Sequence, residues 1–430
     1  MLSRALPRTD PADVQQLIEA FAALSDPADT IGITRPGYSR LERDAHALFA
    51  RFMTDVGLVT RTDAAGNTHA VLRTPEQHAA GLPYLGTGSH LDSVPCGGRF
   101  DGIVGVVAGM LAARALAAED PLRHPLDVLV FANEEGARFG QACNGSRALA
   151  GALAGADLDR LHDHDDVTLR QAMTAAGLRP DEIGSARLHP AQWEAFVETH
   201  IEQGSVLADT GAQVGIVSVI SGSTRTTLTW RGVPSHSGGT PMASRSDALV
   251  AAARVVLRAR DYAADPSRAG LRATVGRLDV RPDSVTTIPG RVEMTIDVRD
   301  VRFDRQQAAA AAIVQYAQQV AAEERVELTV TPVAEVAPTP LSDGVASASS
   351  AAARRLGYRQ RTLPSGASHD TQMMTRICPT GMIFVPSRNH GISHAPDELS
   401  DADDIARGVD VLIETLRELD ATRVAPRRSE

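Results

Sequence analysis

Two adjacent carboxylates, Glu134 and Glu135, close an apolar run in LDVLVFANEEG (126–136). GSHLDS (88–93) and GGRFDG (97–102) precede them, and THIEQG (199–204) and GISHAP (391–396) follow. Together these segments hold imidazoles and carboxylates in numbers that suit two divalent cations sharing a bridging ligand, with one carboxylate left over to handle protons. That is the equipment of a metal-assisted hydrolase. Successive glutamates leaving a strand point in different directions, so one can ligate while the other faces the attacking water. Asp101 sits in a glycine-rich turn where backbone can approach an ion. Its two oxygens can each hold one, which makes it the candidate bridge. His90, His200 and His394 would complete the two sites, and Asp92 is placed to accept from the second ring nitrogen of His90 and fix its tautomer.

Each motif alone has an ordinary explanation. An acidic pair at a strand end is usually solvated, and a single loop histidine is usually no ligand. Glycine-flanked and repeated along the chain, the set points to a site. The run His162-Asp163-His164-Asp165-Asp166 reads as a polar connection. His390 and His394 are four apart, but Gly391 between them argues against a helical metal pair. His46, His69, His78, His124 and His189 carry no signal.

With 430 residues, 43% of them hydrophobic, the chain has material for two cores, so two domains are expected. The net charge of -10 is dispersed, with no basic cluster or aromatic stripe for nucleic acid or membrane, and small molecules are the expected ligands. The first residues lack a long apolar targeting segment, and no run of about 18 apolar residues occurs. A cytoplasmic location is expected. Cys96, Cys143 and Cys378 form no CxxC pair, which argues against disulfides or a thiolate zinc site; Cys96 reads as a small buried filler. The chain has no lysine. Schiff-base catalysis and the P-loop lysine are excluded outright.

The elements that must position these residues follow from periodicity. Asp10-Pro11 starts a helix with Val14, Leu17, Ile18 and Phe21 on one face, and a second helix over 41–56 places Ala45, Leu48, Phe49 and Phe52 together. Residues 59–72, broken at Ala65-Gly66-Asn67, read as a hairpin. The apolar strands 83–90 and 126–133 flank an apolar helix, 104–116, the mark of a mostly parallel sheet covered by helices on both faces. In an open parallel sheet, ligands bind beyond the carboxyl ends of the strands, where His90 and Glu134-Glu135 fall. From residue 213 the pattern changes. Strands at 224–231, 273–280, 291–298 and 326–331, with helices at 247–260 and 306–322, give the order βαββαβ, a ferredoxin-like insertion. The expected division is 1–212 with 334–430 as the catalytic domain, and 213–333 as the inserted one. A strand at 381–386 and a helix at 401–419 complete the first domain.

The motifs resemble the hydantoinase/carbamoylase family of amidohydrolases within the M20 metallopeptidase group: N-carbamoyl-L-amino acid hydrolases, allantoate amidohydrolases and bacterial β-ureidopropionases. The likeness runs from ITRPGYSR (33–40) through GSHLDSVPCGGRFDGIVGV, NEEGARF, ETHIEQG and VPSHSGGTPM to MIFVPS and GISHAPDE, nearly the whole chain. The resemblance implies a two-metal α/β catalytic domain and an inserted dimerisation domain. One ion would take His90 and His200, the other Glu135 and His394, with Asp101 bridging and Glu134 as general acid and base. Zinc, manganese, cobalt and nickel all suit such ligands. It further implies that His236 polarises the scissile carbonyl, reaching the partner subunit's site, and that Arg299 grips the substrate carboxylate. Gln203 and the turn Ser365-Gly366 match substrate-contacting positions.

The chain departs from the family around the substrate. TTIPG replaces NVIPG or NVVPG, placing Thr286 where an asparagine helps to bind substrate, and a threonine lacks the amide's reach. HSGGTPM, with Gly239, replaces HAGTTPM or HAGSTPM, and the loop Arg388-Asn389-His390 is one residue longer. The expectation is a homodimeric, binuclear hydrolase of a ureido or amide C–N bond in a small carboxylate, first among them an N-carbamoyl amino acid. Allantoate, 3-ureidopropionate, and then dipeptides or N-acyl amino acids are the alternatives.

Overall fold

In the computed structural model, which describes residues 6–119 and 121–422, the unbroken apolar runs form the parallel centre of a sheet. Leu126–Phe131 pairs parallel with Tyr84–His90, that strand with Trp193–Ile201, and that one with Thr380–Val385. Leu126–Phe131 and Thr380–Val385 are buried at every position, as covering on both faces requires. The helices Ile103–Ala117 and Ala402–Ala421 lie against this sheet and against each other, and Pro11–Ala22 packs on both. Ile103–Ala117 is buried nearly all round, which explains why it shows no polar face.

Antiparallel strands close the sides. Thr68–Leu72 pairs with Leu126–Phe131 and carries Val59–Thr62 outside it, while Val214–Ile220 pairs with Thr380–Val385. The sheet is therefore mixed, α/β in class but less parallel than its sequence suggests; of these antiparallel pairs only Val59–Thr62 with Thr68–Leu72 is a short hairpin, whose connection permits no other pairing. The hairpin turn is built by Asp63, whose carboxylate accepts from the amides of Ala65 (2.9 Å) and Asn67 (3.0 Å).

The first helix begins where Asp10 accepts from the amide of Ala12, with Pro11 at its first position, a favoured start. The second, Arg40–Asp55, is capped by Ser39. Its buried face is Glu42, Ala45, His46, Phe49 and Met53, so the stripe is turned from the apolar one read in the sequence. Leu48 and Phe52 lie at its partly buried border. The rotation exists because Glu42 and His46 are held by hydrogen bonds inside.

The chain divides into two compact units, one running to Ser218 and resuming at Leu341, the other Val219–Pro340. The division lies several residues beyond each expected domain boundary. Val214–Ser218 still pairs with the large sheet, and the strand Glu327–Val336 runs on past 333 to pair with Gly222–Arg231. Residues 206–210, just before the first expected boundary, form a short helix.

The second unit is a four-stranded antiparallel sheet in the order 327–336, 222–231, 291–300, 272–281. The helices Ala248–Ala264 and Phe303–Glu324 pack on it. Numbered along the chain the strand order is 4-1-3-2, the ferredoxin-like arrangement of βαββαβ. Arg291–Asp300 alternates half-buried and buried positions, the period-two signature of a sheet covered on one face. A two-residue ribbon, Ser235–His236 with Thr287–Ile288, completes it. Among the described residues no helix is long and apolar enough to cross a membrane.

Candidate metal centre

The carboxyl ends of the parallel strands deliver the side chains to one place. His90 ends its strand, His200 lies one residue from the end of the next, and Glu134 and Glu135 follow Leu126–Phe131. Asp101 is central. Its Oδ1 lies 3.1 Å from His200 Nε2 and 3.7 Å from His90 Nε2, and its Oδ2 lies 3.1 Å from His394 Nε2, which is 3.2 Å from Glu135 Oε2. Two ligand groups result, His90–Asp101–His200 and Asp101–Glu135–His394, and Asp101 belongs to both. Gly102, at φ 71°, starts the helix behind it; a Cβ there would fall 2.5 Å from the His90 ring. Only glycine serves at that turn.

The outer nitrogens settle which inner ones are free to ligate. His90 Nδ1 lies 3.1 Å from the carbonyl of Asp92, and His200 Nδ1 lies 2.9 Å from the carbonyl of Ile201. Each Nδ1 therefore donates, and each Nε2 faces Asp101, the nitrogen that would present its lone pair to an ion held there. The Asp92 carboxylate is 3.5 Å from His90 Nδ1, but it is mainly engaged elsewhere, accepting from the amides of Glu134 (2.9 Å) and Glu135 (3.1 Å). Asp92 thus faces the outer nitrogen of His90 with its carbonyl and, at longer range, with the carboxylate read from sequence for that task, which also holds the glutamates' backbone. Glu42 extends the device by accepting from the amide of Asn133 at 2.7 Å, and buried Arg35 donates to the carbonyl of Leu91. The helix and loop of residues 35–42 thus grip both strand ends.

Glu398 ties the remaining loops together. It accepts from the amides of Phe100 (2.8 Å) and Asp101 (3.0 Å) and from Ser393 Oγ (2.6 Å), beside His394. Gln203 donates to Asp101 Oδ2 at 2.7 Å, so here it steadies the carboxylate that the two groups share. Behind the site lies a buried layer absent from the sequence reading. Glu198 accepts from Ser89 Oγ (2.7 Å) and Thr371 Oγ1 (2.6 Å), and the His369 ring meets His200 edge-on at 4.5 Å. Ser365 is turned inward onto His369 Nε2 at 2.7 Å, while Gly366 is exposed.

Glu134 stands apart from both ligand groups. Its Oε1 accepts from the Cys143 thiol at 3.2 Å, and its Oε2 lies 3.9 Å from His90 Nε2. Burial pushes its carboxyl well above the usual range; His90 opposes this, while Asp370, Glu135 and Asp92 add to it. Burial, then Asp101, also raises Glu135. Burial and Asp101 push Glu398 up to about 7. For Asp101 burial works the same way, but the three histidines outweigh it and hold it well below the carboxylate range. His394 is pushed up to about 11 by its bonds to Asp101 and Glu135. So many buried carboxylates need positive charge among them. Glu135 Oε1 is buried without a hydrogen-bond partner. Mixed N/O donors, aimed lone pairs and an orphaned carboxylate oxygen fit divalent cations at both groups.

The other residues singled out by sequence lie in the second unit. His236 is exposed on the ribbon, where it pairs with Thr287, and Ser237 donates to the carbonyl of Thr286 at 2.9 Å. Arg299 lies near the end of Arg291–Asp300, its Nε 3.0 Å from Asp297 Oδ2. Cys96 is exposed, not buried, because its turn holds it at φ 51° on the surface. In the longer loop, Asn389, His390 and Gly391 take successive left-handed conformations before His394, itself at φ 58°. Asp163, His164 and Asp165 do cluster, but the last two are exposed, and Asp163 is spent on Arg138 and on the amides of Asp165 and Val167.

Residues 86–418 match the family described as Peptidase family M20/M25/M40. The chain is 39% identical over 407 residues to an N-carbamoyl-L-amino acid amidohydrolase of Geobacillus stearothermophilus, covering 94% of this chain and 97% of that one. It is 34% identical over 409 residues to a ureidoglycolate hydrolase of Oryza sativa subsp. japonica, covering 94% and 83%. Among solved structures, an amidase of the hydantoinase/carbamoylase family from Burkholderia multivorans superposes with a TM-score of 0.84 at 30% identity, over 97% of this chain and 99% of that one.

Proposed function

Because this chain belongs to the hydantoinase/carbamoylase amidohydrolases of peptidase family M20/M25/M40, we propose that it hydrolyses the ureido C–N bond of a small carboxylate, N-carbamoyl-L-amino acids first, using two divalent cations. The observation that carries this reading is the single carboxylate, Asp101, shared by two ligand groups. His90 and His200 would hold one ion with it, Glu135 and His394 the other. Bound there, such ions supply acidified water and a partner for the carbonyl oxygen. Zinc, manganese, cobalt and nickel are all compatible with the donor set.

Glu134 then moves the proton. Burial raises its carboxyl and so favours its taking a proton, and Cys143, bonded to Oε1, leaves Oε2 free to receive it. The same oxygen returns the proton to the departing nitrogen, releasing ammonia and a carbamate that decomposes to carbon dioxide and the amino acid.

His236 is assigned the donor to the carbonyl oxygen, and Arg299 the grip on the substrate carboxylate, a task its planar fork suits. In the second unit the ribbon lies beyond the Arg291 end of the strand that carries Arg299 towards its other end. Eight residues of strand at about 3.3 Å each put the two on the order of 25 Å apart. One small substrate cannot touch both from a single copy. This supports a homodimer in which each copy completes the other's site. A cytoplasmic location accords with the reading.

Thr286 and Gly239 leave the choice of substrate open to experiment. A panel of N-carbamoyl-L-amino acids, allantoate, ureidoglycolate, 3-ureidopropionate, N-acyl amino acids and dipeptides, assayed for ammonia and amine release with each metal, decides it. The expected result is ureido cleavage with the highest kcat/KM on N-carbamoyl-L-amino acids. Turnover of dipeptides alone would sink the proposal.

A further inference from the structure

His236 is the only histidine of residues 219–340, and its ring is folded back over the turn that follows it. Its Nδ1 accepts from the amides of Gly238 and Gly239, at 3.0 Å each. The turn is braced from several sides. Thr240 donates its amide to the His236 carbonyl at 3.1 Å, Arg245 Nε donates to the Thr240 carbonyl at 3.1 Å, and Arg325 donates to the carbonyls of Ala243 and Arg245 at 2.8 Å. A Cβ at residue 238 would come 3.3 Å from the ring's Cε1, whereas one at 239 would sit at an ordinary 3.7 Å from Nδ1. A side chain at residue 238 would press on the ring, while residue 239 contributes chiefly its amide.

An imidazole nitrogen that accepts two N–H groups has committed its lone pair and carries no proton. The proton of the neutral ring therefore sits on Nε2. Turning the ring over would set a C–H against both amides and leave them unmet. We propose that the turn of residues 237–240 locks His236 in the Nε2–H form, so that it serves the reaction as a fixed hydrogen-bond donor and not as a proton shuttle. The proposal rests on the reading that His236 faces the scissile carbonyl. There a donor held in place before the reaction favours the oxygen as it gains negative charge, without reorganising. With no lone pair left on the ring, proton transfer to and from the substrate falls to Glu134 alone. Gly238 and Gly239 become positioning residues, acting through the histidine.

The test uses the full-length, metal-loaded protein labelled with 15N at histidine. Long-range 1H–15N spectra, with the His236 signals identified by their loss in His236→Gln, are expected to show Nδ1 as the unprotonated nitrogen and Nε2 as the protonated one. A proton on Nδ1, alone or together with Nε2, would overturn the lock whatever the enzyme's activity. Kinetics test the role separately. His236→Gln, which keeps an N–H donor, is expected to turn over about tenfold faster than His236→Ala, the rate equivalent of one ordinary hydrogen bond. Gly239→Pro, which deletes one amide, is expected to lose about tenfold in kcat relative to Gly239→Ala, which keeps it, with KM little moved. Equal rates within both pairs would overturn the donor role. An Nε2–H signature combined with a His236→Ala enzyme as fast as the parent would overturn the placement of His236 at the carbonyl and leave the tautomer assignment standing.

Discussion

Replacing Glu134 by glutamine is expected to lower kcat about a thousandfold while KM and metal content stay close to those of the parent. Glutamine has the same shape and can still accept from Cys143 through its carbonyl, so the backbone held by Asp92 and Glu42 has no reason to move. What it cannot do is take a proton from water and give it to the leaving nitrogen. Because Glu134 belongs to neither ligand group, the variant separates proton handling from ion binding. Steady-state kinetics beside elemental analysis of the same sample make the comparison. A slow enzyme that has also lost its metal would count Glu134 among the ligands, and an enzyme of ordinary speed would remove it from the mechanism.

The second large effect is expected at Asp101. Asparagine offers one acceptor oxygen in place of two, and its amide nitrogen repels a cation. A residue that serves one ion should cost one ion when changed. Asp101 lies within 3.1 Å of the ligand nitrogens of both His200 and His394, so Asp101→Asn should weaken both sites together. Turnover is expected to fall on the order of a thousandfold or more, and adding excess metal should not restore it. Glu135→Gln, by contrast, should empty only the site shared with His394 and should respond to added metal. Asp101→Asn retaining both ions and its activity would end the case for a bridge.

Much of this was legible in the sequence because the candidate ligands lie at or near the ends of apolar strands or in glycine-flanked turns. His90, Asp101, Glu135, His200 and His394 meet as their motifs implied, and Glu134 stands beside them. The supporting residues were not legible, for a physical reason. Glu42 lies on a helix whose apolar periodicity hides it, and nothing local reveals that its carboxylate reaches the amide of Asn133, 91 residues on. Glu198 and His369 sit behind the ligands, where only the sheet order brings them together. Glu398 had a visible signal, four residues past His394 within GISHAPDE. Asp92 was legible beside His90, whereas its hold on the amides of Glu134 and Glu135, 42 and 43 residues on, was not. The fold shows the same limits. The parallel centre and the ferredoxin-like order follow from periodicity, whereas the antiparallel sides and the domain edges at Val219 and Pro340 depend on which partner a strand finds.

Crystals grown with added zinc or manganese, measured at that metal's absorption edge, address the shared-carboxylate site most directly. The account predicts two anomalous peaks in each chain on either side of Asp101, one among His90 and His200 and the other among Glu135 and His394. A single peak, or two peaks that do not share Asp101, would contradict it.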